Sequence, residues 1–566
     1  MSNLSLQRNY RGISLLACIS KLYTSFLNKR LTGYLENNDI LADEQNGFRA
    51  DRSCEDHVFT LDSVVKNNKE VFTAYIDLKR CFDYINRDML LYKLLLNGID
   101  GKLYNSIKNI YTSSVSTVRI NNKLTEWFSC NSGVKQGCNL SPTLFAIFAN
   151  DLVNEINGLD LGFDIGDRKL SLLLYADDIV MMAKTEEDLQ TMLDTLYSWC
   201  KRWRVLINAG KSKCMHFRKG RKQRSTFEFK VGNDILETVD RYRYLGVIFQ
   251  EKCDCTFNCE ALAKGAGRAL RCIISKIHNL RDLGFKSFDK LFHSCVSPIM
   301  DYCSSVWGVK RHQSLENVQH RAMRYFLGVH RFTPILAMVG DTGWLPSIYR
   351  RWRSMIRLWN RLILMNNERL TKKVFNADLV LHNSSKNWSS EIKQVMDDIG
   401  LGDQFESKSV INLSKVDEHL NAFYARKWQE DVHHVPKLRT YRVFKTEFKT
   451  EEYVKLNMYK NERSIMCQFR SGVLPLRIET GCFIGEKLNQ RVCRFCNTDV
   501  VEDEKHFLFH CALYNKLRTT YSADIFTHDY GGTLDDKLVY AMTNHPRMLA
   551  KFLVHAYLLR RKYMYK

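Results

Sequence analysis

Asp177 and Asp178 stand side by side inside an apolar run from Leu170 to Met182. Charged groups beside apolar surface lose solvation, and adjacent like charges repel. A divalent cation relieves both costs, so the pair reads as a metal site. Asp77 closes a second run rich in β-formers, Val71 to Asp77, one hundred positions before Asp177. If the two runs pair in an antiparallel sheet, three carboxylates converge on one edge. Such a set can hold two divalent ions about 3.5–4 Å apart, one for an attacking oxygen and one for a leaving group. Oxygen-only ligands favour Mg²⁺ or Mn²⁺ over zinc. The alternative for an isolated Asp-Asp pair is a polar β-turn. The apolar flanks on both sides count against it.

A second constellation lies near the other end. Cys493-Arg494-Phe495-Cys496 is followed by Glu504, His506 and Cys511. This is C-x2-C followed by H-x4-C, and two thiolates in a tight knuckle plus His and Cys suit a tetrahedral Cys3His zinc site. His510 is a rival to His506 as the fourth ligand. With all four positions filled by protein, the site is structural.

Periodicity indicates what must position these groups. Residues 1–70 read mainly as helix, with apolar positions at helical spacing from Ile19 to Leu35. After the strand at 71–77, Asn86 reads as an N-cap, Met89 to Leu96 as an apolar face and Gly98 as a stop. A hairpin is expected at 115–130 around Asn121-Asn122, then a helix from about Ser141 to Asn154 with Pro142 in its first turn. The acidic hairpin occupies 170–183, Glu186 to Trp203 is an amphipathic helix, and 205–249 returns to short strands. Residues 260–365 are helical and basic, 366–450 weakly patterned, and 451–566 helical on both sides of the cysteine cluster.

Composition bounds the partners. A net charge of +22 favours a polyanion, and nucleic acid is the usual one. No run of 18 apolar residues offers a membrane span, and Met1-Ser2-Asn3-Leu4 opens no secretory segment. The 18 cysteines are not spaced as a disulfide framework, so reduced thiols and an intracellular location, in nucleus and cytoplasm, are expected. The basic run at 218–224 reads as a solvated loop, with phosphate contact as the second reading. Trp307, Tyr325, Trp344 and Trp352 interleave with basic residues, but aromatics at helical spacing are more often core than base-stacking.

An ordered series of blocks resembles the reverse transcriptases of non-LTR (LINE-type) retrotransposons across most of residues 9–250. The blocks are Asn9 to Leu16, with Gly12 where Pro is usual; Gly47-Phe48-Arg49 with Arg52-Ser53; Tyr75-Ile76-Asp77-Leu78-Lys79 with Phe82-Asp83; Gly133-Val134-Lys135-Gln136-Gly137 with Leu140-Ser141-Pro142; Tyr175-Ala176-Asp177-Asp178; Lys211-Ser212-Lys213, with Ser where Thr is usual; and Tyr244-Leu245-Gly246.

The resemblance implies roles. Asp77, Asp177 and Asp178 would bind two Mg²⁺ or Mn²⁺ ions. Phe82 would exclude a 2′-hydroxyl, and otherwise is a core Phe. Arg49 and Arg52 would pair with the triphosphate, and otherwise form a solvated surface pair. Gln136 and Gly137 would let backbone approach the nascent base pair. Lys211 or Lys213 would give a proton to pyrophosphate, and otherwise each is a surface lysine. Leu245 and Gly246 would form a turn at the primer end. RNA template, DNA primer or target DNA, and dNTPs are the implied partners.

The expected architecture is an α+β right-hand polymerase. Fingers and palm with an antiparallel sheet fill 1–255, a basic helical thumb 256–365, a connector 366–450, and a helical module around the zinc knuckle at 493–511 fills 451–566. The resemblance also implies an endonuclease ahead of the polymerase. The first block begins at Asn9, so a truncated element copy or partial gene is expected, lacking part of the fingers. Two rivals remain open: a remnant that only binds nucleic acid, and another Mg²⁺-dependent phosphoryl enzyme such as a nuclease.

Overall fold

The computed structural model describes residues 14–112, 114–279, 282–521, 525–526 and 532–564; residues 9–13 of the opening block lie outside them. The architecture is mixed α+β, and the chain divides into two compact units. One is Met1–Asn258 with Trp359–Gln394; the other is Cys259–Leu358 with Val395–Lys566.

The first unit is built on one five-stranded sheet. Helices α1 (Cys18–Asn37) and α2 (Cys54–Asn67) precede strand β1 (Glu70–Asp77). Helix α3 (Arg87–Leu96) follows, and the Asn86 side chain accepts from the Met89 N–H at 3.0 Å as its N-cap. Beyond its end Gly98 takes φ 72°, the left-handed conformation that glycine adopts without strain. Paired short strands at 115–116/128–129 and 119–120/123–124 form the expected hairpin. Asn121 and Asn122 both hold positive φ, 48° and 63°, as a two-residue turn requires.

Helix α4 (Ser141–Asn157) is buried almost all round, through Leu144, Phe145, Phe148, Leu152 and Ile156, so it forms the floor of the core. Strands β2 (Leu172–Tyr175) and β3 (Asp178–Ala183) make the acidic hairpin, and helix α5 (Glu186–Trp203) packs its apolar stripe on the sheet. Acidic residues fill the first turn of α5 and Lys201 and Arg202 the last, matching the helix dipole. With β4 (Lys213–Arg218) and β5 (Glu237–Thr238) the sheet order is β5-β4-β1-β3-β2. β1 lies between β4 and β3, antiparallel to both.

The segment 366–450 is more ordered than its weak patterning suggests. It carries helices Leu370–Val380, Trp388–Asp398 and Leu413–His434. The longest buries Val416, Leu420, Tyr424, Trp428 and Val432, a strict four-residue ridge spread too thinly among charges to register as amphipathic. In the first unit Phe59, Phe375 and Trp388 share one aromatic cluster, with Phe59 and Trp388 centroids 5.2 Å apart. The region 260–365 is helical as expected, and Trp307, Trp344 and Trp352 are buried, so these rings are core. Residues 219–224 are an exposed loop flanked by ion pairs from Arg218 and Arg224 to Glu251. Among the described residues no helix is long and apolar enough to cross a membrane.

Candidate active site

The strand register places the acidic residues together. Asp77, the last residue of β1, sits directly opposite Asp178, the first of β3, and Tyr175 closes the hairpin against Asp178. Asp177 occupies the turn between them. Two neighbouring side chains sense the combined charge. Cys81 is buried, and its thiol donates to Asp177 Oδ2 at 3.5 Å. Burial first, then the charges of Asp177 and Asp77, push that thiol well above its ordinary pKa. Burial, Asp178 and Asp77 likewise raise Tyr242, which stacks on Tyr75 of β1 with centroids 4.2 Å apart. The register and these shared neighbours put the three aspartates at one end of the sheet.

The turn is strained and braced. Ala176 holds φ 57°, where an L-residue's Cβ crowds its own backbone. Gln45, fully buried, accepts through Oε1 from the N–H of Ala176 and of Gly47, both at 3.0 Å. Residues 44–46 hydrogen-bond with Leu174 like an added strand. Gly47 lies against the turn so closely that a Cβ would come within 2.3 Å of the Ala176 nitrogen. The glycine of the Gly47-Phe48-Arg49 block is thus required by the acidic turn.

Asp77 is held on its other side by the loop before β4. Asn208 Nδ2 donates to Asp77 Oδ2 at 2.8 Å, and the Asp77 N–H donates to Ser212 Oγ at 3.0 Å. Neither residue stood out in the sequence as a site residue. The readable signal was the turn chemistry of Asn208-Ala209-Gly210 just ahead of the lysine block.

A cleft of about 720 Å³ opens beside the turn, lined by Asp177, Phe82, Gln136, Gly137, Phe48 and Pro142 among others. Phe82 stacks on Phe145 with centroids 4.9 Å apart, which fixes its ring at the cleft wall. Gln136 Nε2 donates to Asp83 Oδ1 at 2.9 Å, tying the two blocks together. Gly137 holds φ 91°, a conformation open to glycine.

Arg49 and Arg52 both have acidic partners in the structure. Arg49 makes a two-pronged pair with Glu36, both contacts 2.8 Å, and also binds the Ala42 carbonyl. Arg52 pairs with Asp43 and donates to Asn46 Oδ1 at 3.0 Å. Both guanidiniums brace the segment that carries Gln45 and Gly47. Their partners are remote in sequence or acidic neighbours that spacing alone does not select. Lys213 is taken by Glu237 Oε2 at 2.9 Å and the Gly210 carbonyl at 2.7 Å, whereas Lys211 is exposed. Leu245 and Gly246 form a turn with φ 45° and 84° between strands Arg241–Tyr244 and Val247–Gln250.

This geometry agrees with a comparison of sequences. Residues 4–249 match the family described as Reverse transcriptase (RNA-dependent DNA polymerase). The chain carries a reverse transcriptase domain. Relatives resemble this chain over part of its length. A Drosophila melanogaster protein named "Probable RNA-directed DNA polymerase from transposon BS" is 26% identical over 330 residues, 56% of this chain and 36% of that protein. The RNA-directed DNA polymerase from mobile element jockey of Drosophila funebris is 25% identical over 55% of this chain and 34% of its own length. The Pol polyprotein from type-1 retrotransposable element R2 of Popillia japonica is 26% identical over 43% and 35%. The chain spans about a third of the length of these relatives. A solved telomerase of Candida tropicalis aligns with 72% of this chain at 14% identity and a TM-score of 0.35, too distant to carry an argument.

The reverse transcriptase domain has a donor set suited to a hard divalent ion. Asp77, Asp177 and Asp178 offer only carboxylate oxygens as donors, and among the described residues neither Asp77 nor Asp177 forms an ion pair. In the second unit Cys493, Cys496, His506 and Cys511 place their ligand atoms within 4.8 Å of one another. Cys493 and Cys511 sulfurs are 3.8 Å apart, and Cys496 Sγ is 3.3 Å from His506 Nε2. His506 lies within the group, whereas His510 is exposed and outside it. The thiol shared with Cys511 raises Cys493 to about 12, and the same contact lowers Cys511.

Proposed function

We propose that the chain is an RNA-directed DNA polymerase of the non-LTR retrotransposon type, extending a DNA primer with dNTPs on an RNA template. The observation that carries this reading is the register that sets Asp77 opposite Asp178, with Asp177 turning into the cleft of Phe82, Gln136 and Gly137. The fold then reads as palm and fingers in the first unit, a helical thumb in the basic region, and a C-terminal module organised by a knuckle.

Asp77, Asp177 and Asp178 would hold two Mg²⁺ ions, with Mn²⁺ as a substitute. Bound there, the ions neutralise charge that develops on the oxygens exchanged in phosphoryl transfer. The remaining work falls to positioning by the chain itself. Phe82, pinned by Phe145 at the cleft wall, would exclude a 2′-hydroxyl. Gly137, without a side chain, and Gln136, anchored on Asp83, shape the wall against the nascent base pair. Lys213 is already paired, so Lys211 is the candidate to donate a proton to the departing pyrophosphate. Arg49 and Arg52 act through the braced turn.

The Cys3His group is assigned to structural zinc. A Zn–S bond near 2.3 Å at tetrahedral angles separates two sulfurs by about 3.8 Å, and Cys493 and Cys511 stand at 3.8 Å. The module's partner is proposed to be RNA.

Primer extension with the full chain tests the reading. On poly(rA)/oligo(dT) with Mg²⁺, dTTP enters and mismatched dNTPs do not. Duplex binding without extension would leave only the nucleic-acid-binding remnant. Loss of primer without template dependence would make the chain a nuclease.

A further inference from the structure

The loop before β4 does more than close the sheet. The Asp77 carbonyl accepts from the Asn208 N–H at 2.8 Å, and Asp77 Oδ2 accepts from Asn208 Nδ2, also at 2.8 Å. Asn208 is itself fixed, because its carbonyl accepts from the N–H groups of Lys211 at 3.0 Å and Ser212 at 2.9 Å. Ser212, fully buried, takes the Asp77 N–H. Leu78 bridges to Ile207, and the Lys79 N–H donates to the Leu206 carbonyl at 2.7 Å. Backbone bonds on both sides thus lock the two chain segments before the side chains meet.

The amide's orientation follows from chemistry. An ionised carboxylate only accepts, so Asn208 must turn its NH₂ to Asp77. That bond commits Oδ2 and stops the carboxylate from rotating about its last torsion, which is otherwise a broad, two-fold one. Among the described residues Oδ1 makes no hydrogen bond and stays available to a cation. A neutral donor is the suitable residue here. A lysine would compete with a metal for the carboxylate, and an aspartate would repel it.

We infer that Asn208 is a positioning residue that holds Asp77 Oδ2 and presents Oδ1 alone to the divalent ion. This rests on the proposed polymerase reading only for its kinetic half. The metal-binding half stands on the carboxylates themselves. Partners that orient metal ligands typically change metal affinity or activity by about 10–100-fold when removed.

The test is Asn208→Ala in the full chain, with Mn²⁺ binding followed by electron paramagnetic resonance and fold by near-ultraviolet circular dichroism. The Mn²⁺ concentration for half-occupancy should rise about 10-fold, and kcat should fall about 10–100-fold with KM for dTTP within about threefold. Asn208→Ser, which keeps a short hydroxyl donor, should recover part of both. A folded Asn208→Ala chain with wild-type Mn²⁺ titration and kcat overturns the inference. So does loss of fold in both variants, since the role would then be structural. Wild-type chain that binds Mn²⁺ but never extends a primer overturns the polymerase reading instead, and the Mn²⁺ titration still judges Asn208.

Discussion

Asp177→Asn should lower template-directed incorporation on poly(rA)/oligo(dT) by on the order of 10³-fold. The substitution keeps the shape of the side chain and removes its charge. Among the described residues the hydrogen-bond partner of Asp177 is the Cys81 thiol, a weak donor at 3.5 Å. The fold therefore loses little, and the turn itself is held by Gln45 and Gly47 through backbone groups that the substitution does not touch. What is lost is a charge that balances a divalent ion where phosphate oxygens exchange. The check is a steady-state rate beside a melting curve: the rate collapses while the melting temperature stays near wild type. Wild-type incorporation by the Asp177→Asn variant would remove Asp177 from the chemistry.

Stripping metal with a chelator should unfold the knuckle around 493–511, and Cys511→Ser should do the same. Cys493, His506 and Cys511 are buried. Cys493 N–H bonds to the Val500 carbonyl, and Val492 and Val501 make a single bridge. A metal would tie the four side chains to one another across this segment. In small finger domains structural zinc contributes about 10–16 kcal/mol of apparent folding free energy at neutral pH. Amide exchange across this segment should accelerate by orders of magnitude, and purified chain should carry one zinc. Zinc-free protein with unchanged exchange would leave the cysteines as ordinary thiols.

What was readable in the sequence were features encoded locally. Asn121-Asn122, Asn86 with Gly98, and the charge-graded helix Glu186–Trp203 each announce their structure within a few residues. The pairing of β1 with the acidic hairpin is legible because both runs are apolar, one closing on Asp77 and the other turning at Asp177-Asp178. The helix Leu413–His434 was missed because one ridge every fourth residue is diluted by charged positions between. The acidic partners of Arg49 and Arg52 are not legible for a different reason. Arginine's planar fork fits carboxylate and phosphate equally, and only the fold brings Glu36 to Arg49. Asn208 and Gln45 carry no such signal, because their work is done through hydrogen bonds to the acidic corner and no spacing rule marks an amide for that role, whereas Ser212 is legible only as a member of the Lys211-Ser212-Lys213 block.

Asp77 and the Asp177-Asp178 corner are proposed to bind one metal cluster, and iron tests this most directly. Fe²⁺ placed in the site, with ascorbate and peroxide, cuts the backbone beside the bound ion. Cuts are expected near residue 77 and near residue 177, appearing together and fading together as Mg²⁺ is added. Cutting at one of the two positions alone, or cutting that Mg²⁺ does not suppress, would contradict a shared cluster.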